Sequence, residues 1–330
     1  MASVSESPVN DVVEEVIEAN LEICDPHHHI MNHPGYEYSL ADFQQDLGDG
    51  HRVTSSVLVE AGAFFRTTGP EHLRPVGEVE FARDLQKQTD GKPTAVAKGI
   101  VAYADLTRGA QVAELLDAHL AASGGTLRGV RQNATRDASP LLHSGYHEPG
   151  PELYERADFR AGVAELIKRD LSFDAWQFYH QLPALAALAR TFPDLRVVVD
   201  HCGGIVGVGP YAGRRNEIFA VWRRNIEELA RLPNVWVKLG GLGMGISGFE
   251  TLGPRPGSAA IAAAFKPYME LCVEAFGPQR SMFESNFPVD RHLSSYRTLW
   301  NALKRVAGGA SADEKKLLFH DSASRFYKLG

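Results

Sequence analysis

The sequence predicts a (β/α)8 barrel. Three observations carry that expectation: eight short apolar or β-branched runs, helix-length segments between most of them, and a span of about 260 residues, close to the usual size of such a barrel. The runs are Leu21–Asp25, Val53–Glu60, Ala95–Tyr103, Thr126–Gln132, Ser172–Gln177, Leu195–Asp200, Val235–Leu239 and Met282–Ser285. Gln111–Ala122, Ala157–Arg169, Leu182–Thr191, Ile218–Leu232 and Ile261–Phe276 read as helices between them. Regular alternation of strands and helices implies parallel strands. A doubly wound open sheet is the alternative, although no GxGxxG follows the first run. The Gly-rich stretches Gly203–Gly213 and Gly240–Gly257, with Gln132–Gly150, read as strand-to-helix loops, which in a barrel lie on the active face.

Residues 1–20 read as a polar N-terminal extension and 21–330 as the barrel, with no linker, repeat or second domain. The extension is acidic and has no basic start followed by an apolar core, so it does not resemble a signal peptide. No apolar run is long enough for a bilayer. The net charge of −7 carries no basic block of the kind that follows a phosphate backbone, which argues against nucleic acid as a partner. Cys24, Cys202 and Cys272 are far apart and form no CxxC, which argues for a reducing compartment and a cytoplasmic protein. Cys202, beside His201, is expected to be inert and buried. A homo-oligomer is left open.

The stretch "ICDPHHHIMNHP" (23–34) holds the densest chemistry. His-x-His alone is weak evidence; its place at the end of the first strand gives it weight. Strict alternation would put Asp25, His27 and His29 on one face and His28 on the other. Two imidazoles so spaced at a barrel mouth can reach one ion, while His28 packs elsewhere. The sixth run, "VVVDHCGG", delivers His201 to a loop in the same way, and the eighth, "MFESNFPVD", ends in polar residues closed by Pro288.

Together "DPHHH", "VVVDHCGG" and "MFESNFPVD" resemble the amidohydrolase superfamily. The likeness is to its amidohydrolase-2 branch, which includes lactonases for sugar lactones and pyrone dicarboxylates. It runs from about residue 21 to 327 and includes "GIVAYADL" (99–106), "LRGVRQ" (127–132) and "NVWVKLGGLGM" (234–244). The resemblance implies first-strand histidines, a later-strand histidine and an aspartate closing the eighth strand in an SDWP-like motif. Here that stretch is Ser285-Asn286-Phe287-Pro288. Asn286, kept among the catalytic positions, cannot act as a general base and is a weaker metal ligand than a carboxylate.

Two residues are expected as replacement bases. Glu284 would point into the barrel if the strand is regular; its alternative is a buried ion pair with Lys238. Asp290 lies past the proline and could fold over the mouth or remain a solvated loop carboxylate. Arg131 near the end of the fourth run is suited to a substrate carboxylate, or else to a salt bridge, and Arg128 reads as structural. Gln177, Tyr179 and His180 are candidate substrate contacts. His143 and His147 read as loop residues, and Trp176, Trp222, Trp236 and Trp300 as core.

The expected enzyme is a hydrolase that opens a lactone, or a related ester or amide, in an anionic small molecule. His27, His29 and His201 would hold zinc or manganese, with His201 as ligand or proton donor. A metal-independent lactonase, a non-oxidative decarboxylase of the same superfamily and a non-catalytic ligand-binding barrel are the alternatives.

Overall fold

Eight parallel strands form one sheet, in strict chain order, in the computed structural model, which describes residues 13–142 and 149–330. They are β1 (Glu22–His28), β4 (Arg52–Val59), β5 (Ala95–Tyr103), β6 (Leu127–Arg131), β7 (Ser172–Ala175), β8 (Val197–Val199), β9 (Val235–Leu239) and β10 (Ser281–Phe283). Two short strands, β2 (Met31–His33) and β3 (Tyr36–Tyr38), form an antiparallel hairpin after β1. The segment past β10 closes the sheet onto β1: Asn286 N–H donates to His27 O (2.9 Å) and His29 N–H to Phe287 O (2.8 Å).

A helix follows each barrel strand: α1 (Leu40–Leu47), α2 (Val76–Gln88), α3 (Ala113–Ser123), α4 (Ala157–Lys168), α5 (Leu182–Thr191), α6 (Arg215–Ala230), α7 (Ser258–Phe276) and α8 (Tyr296–Val306). This is the (β/α)8 barrel that the eight runs predict, and each predicted run overlaps one of its strands. The hairpin went unpredicted because three-residue strands are too short to show a period. His33 sits there, its Nε2 2.8 Å from Ala61 O, which ties the hairpin to the loop after β4.

Two apolar layers hold the barrel. The larger core lies between strands and helices and includes Ile23, Leu58, Phe173, Trp222 and Trp300. A second cluster joins Cys24, Val57, Val59, Val101, Val198 and Met282 to Phe326 and Tyr327 of the C-terminal segment. Side chains alternate along a strand, so the residues between these positions face the outer core. Above the second cluster, the same inward rows change from aliphatic to charged: Arg131, Asp174, Asp200, Lys238 and Glu284.

The described part of the expected N-terminal extension, residues 13–20, is tied to the barrel. Glu14 accepts hydrogen bonds from Ser258 N (2.7 Å) and Asn301 Nδ2 (3.1 Å), and Lys304 Nζ donates to Ile17 O and Glu18 O, each at 2.9 Å. Among the described residues no helix is long and apolar enough to cross a membrane.

Candidate active site

The site begins with a defect in β1. Asp25 pairs with Ser56, but His28 pairs with Leu58, so β1 spends three residues where β4 spends two. The extra residue breaks the alternation. Asp25 therefore does not share a face with His27. It points outward, accepting from Ser285 Oγ (2.6 Å), Ser285 N (3.0 Å) and Tyr296 Oη (3.0 Å), and it pins the end of β10 to β1. His28 also faces outward, stacked on Phe43 with ring centroids 4.1 Å apart. His27 and His29 turn into the barrel, their Nε2 atoms 3.1 Å apart.

His201 reaches the same place from β8. It adopts a left-handed backbone (φ 56°), which turns the chain sharply at the strand end. Its backbone N–H (3.1 Å) and Nδ1 (2.7 Å) both donate to Glu284 Oε1. A carboxylate can only accept, so His201 Nδ1 carries the proton and Nε2 keeps its lone pair. Trp176 packs edge-on against this ring at 4.6 Å, so it lines the site as well as the core.

Glu284 joins the two imidazoles: its Oε2 is 3.0 Å from His27 Nδ1. Burial pushes this carboxyl up, but His201 and His27 together outweigh that and bring it down to about 2. His27 and His29 are held well below the usual histidine range by burial, with Lys238 adding to the effect on His27 and Arg131 on His29. Both are therefore neutral at pH 7, the form in which imidazole ligates metals.

The ligand atoms of His27, His201 and Glu284 all lie within 4.8 Å of one another and can hold a metal ion. The fit shows at the carboxylate. His29 Nδ1 donates to Val59 O (2.9 Å), which leaves its Nε2 an acceptor beside His27 Nε2. Each His27 nitrogen meets one donor and one acceptor: Arg131 Nη1 and His29 at Nε2, Lys238 Nζ and Glu284 Oε2 at Nδ1. Glu284 Oε2 is buried with no hydrogen-bond partner, an acceptor that a cation would satisfy, and the set fits one. Lys238 Nζ, also 3.0 Å from His27 Nδ1, supplies part of that positive charge. His29, expected as a ligand, stands beside this three-residue set with its Nε2 3.1 Å from His27 Nε2, and Glu284 joins His27 and His201 in the cluster.

Lys238 pairs with other carboxylates than Glu284, the partner offered as the alternative reading. It bridges Asp174 Oδ2 (2.7 Å) and Asp200 Oδ1 (3.0 Å), and Tyr327 Oη donates to Asp174 Oδ2 (2.6 Å). Burial raises Asp174 to about 6. Burial also pushes Asp200 up, but Lys238, His201 and Arg131 together hold it below the usual carboxylate range.

Arg131 was expected either to read a substrate carboxylate or to form a salt bridge, and the salt bridge is what the structure shows. Its Nε donates to Glu60 Oε1 (2.7 Å) and its Nη2 to Glu60 O (2.6 Å), while Nη1 sits 3.2 Å from His27 Nε2. The guanidinium fork is thus occupied by the end of β4. Arg128, as expected, serves the backbone, donating to Gly125 O.

Asp290 lies directly against Asn286. It is buried, not solvated, on the turn Val289–His292, accepting from Asn286 Nδ2 (2.8 Å) at Oδ1 and from Gly243 N (2.9 Å) at Oδ2. Burial raises it to about 7. An aspartate at 286 would set two carboxylates against each other; an amide can turn either its NH2 or its oxygen to Asp290 and so serve both protonation states.

Three glycines of "LGGLG" make room for this arrangement. A Cβ on Gly240 would lie 2.3 Å from Glu284 Cγ, on Gly241 2.4 Å from the His201 ring, and on Gly243 2.8 Å from Asp290 Cγ. Sequence reading marked the stretch as a loop without this role. It also passed over Glu60, although Glu60 closes its strand just as His201 follows its own.

Gln177 and His180, expected as substrate contacts, are held by other partners. Gln177 is fully buried and accepts from Tyr154 Oη (2.9 Å), and His180 Nε2 donates to Arg136 O (3.1 Å). Cys202 is buried, its thiol driven far up by burial and the nearby Cys272, so it is no nucleophile. His143 and His147 lie outside the described residues.

The amidohydrolase family model matches residues 24–329. The chain belongs to this family. It is therefore an amidohydrolase-type hydrolase. It is 33% identical, over 94% of its length and 100% of the relative's, to the uncharacterized protein y4mH of Sinorhizobium fredii. It is 27% identical to an L-fucono-1,5-lactonase of Burkholderia ambifaria, over 81% of this chain and 87% of that protein. Among solved structures, an amidohydrolase from Burkholderia multivorans with bound zinc superposes with a TM-score of 0.71 at 24% identity, covering 93% of this chain and 99% of that one. This last likeness is one of fold.

Proposed function

We propose that this amidohydrolase opens the ring of a lactone, or cleaves a related ester or amide, with Asp290 moving the proton. The observation that carries the reading is Asp290 itself: a buried carboxyl, four residues past the position where the family's aspartate is expected, braced by Asn286 and Gly243 at the barrel mouth. A group near neutrality can both take and return a proton at working pH. Glu284, held ionised between two imidazoles, is too weak a base for that task and serves instead to orient His201 and His27. Asp290 takes a proton from water as its oxygen attacks the carbonyl carbon. The ring C–O bond then breaks, and the same proton passes to the departing alkoxide, leaving a hydroxy acid. Lactonases among the relatives support this reading.

His27, His201 and Glu284 would hold zinc or manganese, which when bound polarises a carbonyl and lowers the pKa of water. Around it, Trp176 limits water beside His201, and the His29–Val59 bond fixes the His27 ring. A metal-free lactonase is the second reading, favoured by Lys238 Nζ lying where it can serve His27 Nδ1 in place of an ion.

The test is zinc and manganese uptake by chelator-stripped protein, read by mass spectrometry, with lactone opening followed by pH-stat. The parent is expected to take up one ion per chain and Glu284→Gln to bind it about 100-fold more weakly. Equal uptake by both would remove Glu284 as a ligand. Lactone opening that persists in chelator would select the metal-free reading, and no opening of any lactone, ester or amide would overturn both.

A further inference from the structure

Beside Asp290 the mouth opens into a cavity of about 450 Å3 lined by Leu141, Val208, Met244, Ile246, Val289 and His292. Its volume lies in the range of small-molecule sites. Two of its walls adjoin Asp290 along the chain. Val289 and His292 belong to the turn that carries Asp290, and Met244 follows Gly243, whose N–H donates to Asp290 Oδ2. Leu141 comes from the loop after β6 and Val208 from the loop after β8. Gly207 N–H donates to Ile246 O (2.8 Å), which joins that loop to the one after β9. Four strand-to-helix loops therefore converge here, all at the barrel end where sites of this fold are built.

The lining is the informative part. Among the described residues of the wall, five side chains are aliphatic or thioether, and the sixth, His292, is stacked on Tyr36 with ring centroids 5.7 Å apart. Leu141 is 65% exposed, and a ligand seated in the cavity would cover it. A polyhydroxylated ring placed against such walls would leave hydroxyls without partners, each at a cost. An alkyl or aryl group gains by burial, and Met244 can adjust to its shape. The occupied guanidinium of Arg131 agrees, since it offers no free fork for an anionic substituent.

We infer that the substrate is a lactone or related cyclic ester carrying an apolar substituent, alkyl or aryl, which this cavity receives beside Asp290. The inference rests on the lactone-opening reading for its reactive group and on the cavity for its substituent, and the two can fail separately.

The test compares γ-lactones bearing 5-alkyl chains from methyl to hexyl with the unsubstituted ring and with a sugar-acid lactone, by kcat/KM. Calorimetry on 2-alkylcyclopentanones, which match the ring but have no bond to hydrolyse, is run in parallel. Each added methylene is expected to raise kcat/KM and lower Kd by about twofold to fourfold, and the sugar-acid lactone to be the poorer substrate. Leu141→Asn, on the exposed wall, and the double change Leu141→Asn with Ile246→Asn should flatten both slopes. Cyclopentanone affinity that ignores chain length, or a sugar-acid lactone preferred over the hexyl lactone, would overturn the inference. A ketone series with the expected slope and no lactone opened would overturn the reaction and leave the cavity's assignment standing.

Discussion

Replacing Asp290 with asparagine should stabilise this protein at alkaline pH while abolishing most of its activity. The carboxyl is buried and raised from 3.8 to about 7. Between those values the folded chain holds a proton that the unfolded chain has lost, so the parent loses stability as pH rises, by about 1.4 kcal/mol per unit. The loss starts near pH 4, is complete just above pH 7 and totals about 4 kcal/mol. The amide introduced by Asp290→Asn does not titrate and avoids it. That amide has to share Asn286 and Gly243 as partners, and one poorer hydrogen bond costs about 1 kcal/mol, which leaves a net gain of about 3 kcal/mol at pH 8. Other raised carboxyls, Asp25 and Asp174 at about 6 and Glu78 at about 8, titrate alike in both proteins and cancel in the difference. Urea unfolding of parent and variant at pH 5, 6, 7 and 8 measures it. Turnover of the best lactone should fall by about 10²–10⁴, the usual worth of a general acid–base group. A stability difference that stays flat from pH 5 to 8 would refute the raised carboxyl, and an active variant would refute its role.

Arg131→Met should act on stability before it acts on binding. It leaves Glu60 buried without its cation, which costs about 3–5 kcal/mol; urea unfolding reads this, and a stable variant whose only defect is a raised KM for carboxylate-bearing lactones would restore Arg131 as a substrate reader. Gly241→Ala places a methyl at 2.4 Å from the His201 ring, in a backbone with φ of 65° that already disfavours a side chain. Displacing the ring by about 1 Å is expected to cost about 100-fold in kcat with an unchanged circular dichroism spectrum, and activity within threefold of the parent would show that the packing can give way.

The barrel was legible because its signal is local and repeated. A fully buried parallel strand needs a short apolar run, and eight of these with helices between them leave few ways to close a sheet. Ala95–Tyr103, Val235–Leu239 and Leu182–Thr191 end where the residue pattern changes, and the structure keeps those bounds. The histidines were legible for the same reason, since His27, His29 and His201 stand at strand ends. Alternation failed at one point, between Asp25 and His28, because a bulge depends on how β1 pairs with β4, and pairing is not written in β1 alone. The choice between the two readings of Arg131 was hidden for a similar reason. Its partner Glu60 lies 71 residues away on the chain, and an arginine aimed at a ligand has the same local sequence as one aimed at a glutamate.

What the sequence by itself determined is the scaffold and the inventory: eight strand ends, their imidazoles and carboxylates, and an asparagine where the resemblance implies an aspartate. What only the tertiary structure decided is the division of labour among them. Whether a carboxyl is a base or a bridge depends on its burial and on the charges beside it. Glu284, clasped by His201 and His27, is driven down to about 2, while Asp290, given only two N–H donors in an equally buried place, is left near 7. Those neighbours come from strands and loops far apart in the chain, and the folded barrel alone brings them within hydrogen-bonding reach.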